Sequence, residues 1–209
     1  MFKGTPELIS ERREEIVNAC EKLYRTMSFR EITLKHISSA TSFSRPTIYN
    51  YFETKEEIFL ALHEREYALW NRDLERILDE NGPLTAHETA DRIARSLETR
   101  PQLLKLLSMN IYDMEANSRP ELLASFKSAF GRSMEIFRGI LRKSRGMTED
   151  DAQRAAYVFF PFMFGIYPYT SVTDKQRAAM EEAKVGFVYR SVYELAYACL
   201  AVLLDRGQA

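Results

Sequence analysis

Residues 33–55 read TLKHISSATSFSRPTIYNYFETK, and the fold turns on this stretch. Thr33 stands where a helix N-cap is needed, ahead of a short segment whose inward residues are Ile37 and Ala40. Thr41-Ser42-Phe43 makes a tight turn, and Ser44 caps a second short segment. At about 100° per residue, Ile48 and Phe52 share one face of that segment, which Phe43 can join from the turn. The opposite face carries Pro46, Thr47, Tyr49 and Asn50, with Arg45 and Tyr51 at its flanks. Two short helices joined in this way form a helix-turn-helix, whose second helix can lie in a DNA major groove.

The side chains on that face suit DNA. Arg45 can donate two hydrogen bonds to guanine, Asn50 can read adenine, and Pro46 or Thr47 can touch a thymine methyl. The hydroxyls of Thr47, Tyr49 and Tyr51 suit phosphate oxygens, which fix register without reading sequence. Lys55 follows the Thr54 cap, so an ammonium and free helix N–H groups converge on one spot that fits a phosphate. From Arg25 to Lys55, five cations (Arg25, Arg30, Lys35, Arg45, Lys55) stand against Glu31 and Glu53, a local net charge of +3. From the residues alone, two amphipathic helices with a merely solvated polar face fit equally well.

Outward from this stretch the chain reads as helix after helix. Thr54-x-x-Glu57, Thr85-x-x-Glu88, Thr99-x-x-Gln102 and Thr173-x-x-Gln176 have the spacing of capping boxes. Pro6, Pro101 and Pro120 suit first-turn positions, and Asn81-Gly82-Pro83, Gly146 and Gly207 mark stops. These signals predict an all-α chain of about nine helices, near 6–27, 34–41, 44–52, 55–80, 86–99, 101–117, 119–144, 149–167 and 174–205. The expected division is a three-helix DNA-binding domain over 1–54 and a larger helical domain over 55–209. The helix at 55–80 is the expected mechanical link between them.

Residues 10–60 resemble the DNA-binding domain of the tetracycline-repressor (TetR) family. The resemblance rests on Ile32-Thr33-Leu34 with Ile37 and Ala40, then on Ser44-Arg45-Pro46-Thr47-Ile48-Tyr49-Asn50-Tyr51-Phe52, and on Thr54-Lys55-Glu56-Glu57-Ile58. It implies that Arg45, Pro46, Thr47, Tyr49 and Tyr51 occupy recognition-helix contact positions and Lys55 the phosphate-binding one. Thr33, Lys35, Ser44 and Asn50 complete the expected DNA-binding set. One departure is the turn, where family members usually carry Gly and this chain has Thr41-Ser42-Phe43.

In the second half, Val185, Val188, Tyr189, Val192, Leu195, Ala196, Cys199, Val202 and Leu203 recur at spacings of three and four. That stripe, beside an uncharged helix, predicts more apolar surface than one chain buries, and hence a homodimer through a four-helix bundle. The resemblance implies the same interface. It also implies a small-molecule effector site in this domain, for which the expected lining is Trp70, Met109, Tyr112, Phe130, Phe160, Met163, Phe164 and Tyr167. Such a lining fits a lipophilic ligand, cationic if Asp113 or Glu115 faces inward.

Composition narrows the remaining classes. The 209 residues are 45% hydrophobic and 28% charged, with a net charge of −1, which describes an ordinary globular protein. Cys20 and Cys199 form neither a disulfide framework nor a metal spacing, and the acidic N-terminal segment (Glu7, Glu11, Glu14, Glu15) is no signal peptide, so a cytoplasmic location is expected. Ala155–Thr173 is uncharged, but Pro161, Gly165 and Pro168 interrupt it, so a helix buried in protein is expected and no membrane partner. His36, His63 and His87 are scattered, each expected at the surface or as a cap, and no catalytic, metal or cofactor motif occurs. The expected function is a transcriptional regulator, most simply a repressor that leaves its DNA operator when a lipophilic ligand binds. The alternative is a helical ligand-binding or adaptor protein without specific DNA binding.

Overall fold

The computed structural model describes residues 5–80, 82–109 and 111–205. Among them are eleven helices and no strand: α1 (Pro6–Tyr24), α2 (Leu34–Ser39), α3 (Arg45–Ile48), α4 (Lys55–Asp79), α5 (Ala86–Glu98), α6 (Pro101–Leu107), α7 (Ile111–Ala116), α8 (Pro120–Arg145), α9 (Glu149–Thr170), α10 (Asp174–Glu182) and α11 (Val192–Asp205). They group into two compact units, Met1–Glu66 with Asn110–Ala129, and Tyr67–Met109 with Phe130–Ala209. Both α4 and α8 therefore contribute residues to each unit. The position 54/55 is the start of α4 and lies inside the first unit.

In the first unit, Ile16, Val17, Cys20 and Tyr24 of α1 are buried with Ile32, Ile37, Ile48, Phe52 and the α4 residues Ile58, Phe59 and Leu62. Tyr24 and Phe29 meet Phe59 edge-on, with centroids 5.1 and 4.8 Å apart. Each such large apolar side chain contributes roughly 1.5–3 kcal/mol by leaving water. Arg65 ties α4 to α1 through Glu14 (2.6 Å), Asn18 (2.6 Å) and Glu21 (2.5 Å). His63 corrects the expectation of a surface or capping residue, being fully buried beside Phe126 at a centroid distance of 5.0 Å. Burial, with the Lys127 charge adding to it, depresses its pKa to about 3, so it is a neutral core residue at pH 7. Glu57 to His63 are buried one after another, so no amphipathic period was there to mark His63 as inward.

In the second unit α5 packs on α11 and α6 on α9. Ala90, Ile93, Ala94 and Leu97 of α5 and Ala196, Leu200 and Leu204 of α11 are buried. A polar seam runs beside them: Tyr193 donates to Asp91 (2.7 Å), His87 Nδ1 pairs with the Tyr197 hydroxyl (2.5 Å), and Arg95 lies over the Tyr193 ring.

Two expected helices are each split. The 101–117 span breaks after Leu107, where the Ser108 hydroxyl donates to the Lys105 carbonyl (2.7 Å) and Met109 N closes a tight turn onto Leu106. The 174–205 span breaks at Ala183. There Lys184 takes a left-handed φ of 53°, Lys184 N bonds Glu181 O and Val185 N bonds Met180 O, which is a Schellman stop built on lysine rather than glycine. The chain becomes helical again at Val192 through a capping box, with Ser191 N donating to Glu194 (2.8 Å) and Glu194 N to the Ser191 hydroxyl (3.1 Å). The expected unbroken stripe is therefore in two pieces, with Val185, Val188 and Tyr189 outside any helix. Of the expected capping boxes, those at Thr85 and Thr173 form in full, whereas Thr99 ends α5 and bonds the Ser96 carbonyl.

The helix α9, uncharged from Ala155 onward, is only partly buried within the single chain. Ala155, Ala156, Phe159, Phe160, Met163 and Ile166 are buried, but Tyr157, Val158, Pro161, Gly165 and Tyr169 are exposed in the single chain. Among the described residues no helix is long and apolar enough to cross a membrane.

Candidate nucleic-acid interface and sensor core

The helix-turn-helix forms over the expected residues, with a shorter second helix. The Thr33 hydroxyl caps α2 by accepting from His36 N (3.3 Å). The turn needs no glycine: Lys184 is the one non-glycine with positive φ among the described residues, so Thr41-Ser42-Phe43 stays in ordinary backbone space. Thr41 Oγ1 donates to Ser38 O (3.1 Å), and Ser42 N donates to the Glu15 carboxylate of α1 (2.6 Å). Ser44 holds the N-cap position of α3, but its hydroxyl pairs with Thr47 Oγ1 (3.0 Å) instead of a backbone N–H. Past Ile48 the coil tightens, with Asn50 N bonding Thr47 O and Tyr51 N bonding Ile48 O, so Asn50 and Tyr51 sit on a turn that continues the helix.

This geometry sorts the ten expected DNA-binding residues. Ile48 and Phe52 are fully buried, which leaves Ser44, Arg45, Pro46, Tyr49 and Asn50 exposed on the other side together with Thr33 and Lys35. Thr47, Tyr51 and Lys55 are half-buried. Arg45 Nη2 donates to the Tyr49 hydroxyl (2.9 Å) and stacks over its ring, which preorients the guanidinium. Thr33, Lys35, Arg45 and Lys55 border one cleft of about 490 Å³ with Ile32 and Leu34. Lys55 itself turns inward. Its ammonium donates to the carbonyls of Phe29 (2.8 Å) and Ile32 (3.1 Å) and lies 4.1 Å from the Phe29 ring centroid. In this conformation it clamps the loop between α1 and α2 to α4, and a phosphate would have to draw it away.

The expected sensor residues are only partly brought together. Trp70 is fully buried, donates from Nε1 to Ser96 Oγ (3.0 Å) and meets Phe160 at 5.8 Å. Phe160 in turn meets Phe130 and Phe137, each at 5.7 Å. These are the separations of close-packed rings. Met163 is buried in the same unit, and Met109, Phe164 and Tyr167 are half-buried. Tyr112 belongs to the other unit and is 80% exposed. Glu115 pairs with Lys127 (2.5 Å) and Asp113 is exposed, so neither supplies an inward charge to the aromatic cluster. An open cleft of about 500 Å³ lies elsewhere in this unit, between the end of α9 and α10, bordered by Pro168, Tyr169, Val172, Ala179, Met180 and Phe187. It contains none of the expected sensor residues.

A residue that sequence reasoning missed is Arg119. It joins Glu57 and the Tyr51 carbonyl through donors of 2.8–3.0 Å, at the end of the reading helix. The only visible signal was Glu57 at the third position of its capping box.

Residues 16–62 match the family model of bacterial regulatory proteins of the tetR family, and residues 64–204 match the tetracyclin repressor-like C-terminal domain. The chain belongs to the TetR family. A curated relative, the uncharacterised HTH-type transcriptional regulator YdgC of Bacillus subtilis, is 28% identical over 94 residues, 45% of this chain. That match spans about half (48%) of the relative's length. Among solved structures, a putative TetR-family regulator from Mesorhizobium loti superposes with a TM-score of 0.63 at 20% identity, covering 97% of this chain and 98% of its own. FadR of Thermus thermophilus, a TetR-family repressor in complex with lauroyl-CoA, superposes with a TM-score of 0.60 at 22% identity, covering 95% of each chain. The TetR fold thus extends over nearly the whole chain.

Proposed function

We propose that this TetR-family chain is a sequence-specific DNA-binding regulator, a dimeric repressor that a lipophilic ligand releases from its operator. One observation carries the reading. The short helix α3 and the turn that continues it bury Ile48, with Phe52 just beyond, and turn Arg45, Pro46 and Asn50 outward, so base-reading chemistry stands on a segment anchored from behind. The test is selection of bound sequences from a random DNA pool. A single near-palindromic motif is the expected result, and recovery of unenriched sequence would leave only a ligand-binding or adaptor role. On that motif Arg45→Ala is expected to cost about 1–3 kcal/mol and to relax selectivity at one position per half-site. Equal weakening of motif and random DNA would remove Arg45 as a base reader.

The outward faces of α9 and α11 support a two-fold partner. Tyr157, Val158 and Tyr169 on α9 and Val202 on α11 are exposed apolar residues on two helices that pack together. A second copy that buries them would pair two reading heads, the arrangement that reads two half-sites about 34–36 Å apart, one helical turn of DNA.

For the ligand, the lauroyl-CoA held by the Thermus relative makes a long-chain acyl thioester the first class to test. The cluster around Trp70, Phe130, Phe160 and Met163 supports an apolar guest, which must part these rings to enter. Titrating the selected operator with and without lauroyl-CoA is expected to show a loss of operator affinity of about 5–150-fold. A thioester that raises the melting temperature yet leaves operator affinity unchanged would uncouple ligand from DNA.

A further inference from the structure

The α7–α8 junction is bound to the end of the reading helix by a cluster of hydrogen bonds inside the first unit. Arg119 Nε donates to Glu57 Oε1 (2.8 Å) and Nη2 to Glu57 Oε2 (2.9 Å), while the Arg119 backbone N–H adds a third bond to Oε1 (3.0 Å). The same Nη2 also donates to the Tyr51 carbonyl (3.0 Å). Two residues earlier, Asn117 O accepts from the Thr54 hydroxyl (3.0 Å), which itself caps α4 by accepting from Glu57 N (3.2 Å). Glu57 completes the knot by accepting from Glu53 N (2.8 Å).

The chemistry is that of a strong, directional lock. Glu57 is 1% exposed, and such a carboxylate is costly unless its lone pairs are filled. Here burial pushes its pKa up, but the Arg119 fork and two backbone N–H groups outweigh that and hold it below the usual carboxylate range. A bidentate fork fixes angle as well as distance, which a lysine ammonium would not do. The anchored atoms matter for position. Tyr51, whose N–H bonds back to Ile48 O, ends the coil that begins at Arg45, and Glu53 to Glu57 form the corner from which α4 departs. Arg119 immediately precedes α8, which continues beyond this unit to Arg145.

We propose that Arg119 is a positioning residue of the DNA-reading face, holding Tyr51 and Glu57 so that the start of α8 sets the orientation of α3. The proposal rests on the DNA-binding function above. Repositioning the start of α8 would move the recognition turn directly, without any side chain of α3 being touched.

The test uses the full-length chain, its selected operator and a random duplex, titrated over a range of salt at a temperature where every variant is folded by circular dichroism. Arg119→Ala is expected to weaken the operator by about tenfold or more while changing random-duplex affinity less than about threefold. The salt slope on the operator is expected to stay that of the wild type, because no phosphate contact is lost. Arg119→Lys, which keeps the charge but not the fork, is expected to recover only part of the loss. Glu57→Gln is expected to follow Arg119→Ala.

A salt slope lower by about one would make Arg119 a phosphate contact and overturn the positioning role. A lower melting temperature with unchanged operator affinity would reduce the cluster to a stability element and also overturn it. If Arg119→Ala does not fold, Arg119→Lys is judged by the same readings. Wild-type protein without sequence preference would overturn both the function and this inference, whereas intact wild-type selectivity with an indifferent Arg119→Ala overturns this inference alone.

Discussion

A chain carrying Val158→Glu together with Val202→Glu is expected to run as a monomer in light scattering and to lose operator affinity by about a hundredfold or more. Both side chains are over half exposed in the single chain, Val158 at 51% and Val202 at 57%. In an isolated subunit their replacement is a surface change, worth within about 0.5 kcal/mol. In a two-fold bundle the same carboxylates would lie unpaired at a desolvated seam, which costs several kcal/mol. The loss of DNA affinity follows from valency. One operator-bound head holds its partner near the second half-site, and linked binding gains about 10²–10⁴ over a single head. A double variant that remains dimeric at micromolar concentration would move the interface off these two faces.

Stability is expected to fall below pH 6.5 with a slope set largely by His63. In the unfolded chain this imidazole takes a proton near its ordinary pKa of about 6.5. Folded, its burial holds the pKa at about 3. The stabilising difference is thus fully present above pH 6.5 and is lost progressively as pH falls toward 3. Over that window the unfolded state binds one more proton, which costs roughly 1.4 kcal/mol per pH unit, or about 2 kcal/mol by pH 5. Chemical unfolding of wild type and His63→Leu across pH 5–7.5 checks this. The variant is expected to show a shallower dependence, and parallel curves would mean that His63 is already charged in the folded chain.

The reading head was legible because its code is local. The Thr33 cap, the short turn and the Ile48/Phe52 spacing all lie within twenty residues, so the pattern can be read from neighbouring positions. The second half is written differently. The break at Ala183 carried no glycine, because a lysine takes the left-handed position, and the restart at Val192 lay hidden in a Ser191-x-x-Glu194 box within an apolar run. His63 escaped because the stretch Glu57–His63 is buried on every side and has no hydrophilic face to contrast with it. Arg119 escaped for another reason: its partners lie more than sixty positions away, and a pairing at that distance leaves no local pattern. The sensor cluster fell between these cases. The aromatic richness was visible, but which rings meet depends on packing between helices, and Tyr112 is sent to the other unit.

The turn between α2 and α3, which needs no glycine, is also held by Glu15, 27 residues upstream of Ser42. Glycine would have encoded the bend in the chain's own local preferences. Here the tie to Glu15 is a loop-closure event, whose entropic toll is roughly 3 kcal/mol plus a constant for a loop of that length. The reading head is therefore tied to α1 as well as to itself, and α1 helps to template the bend. Synthesis supplies the template in time, since an N-terminal element leaves the ribosome first and waits for the segment it must shape.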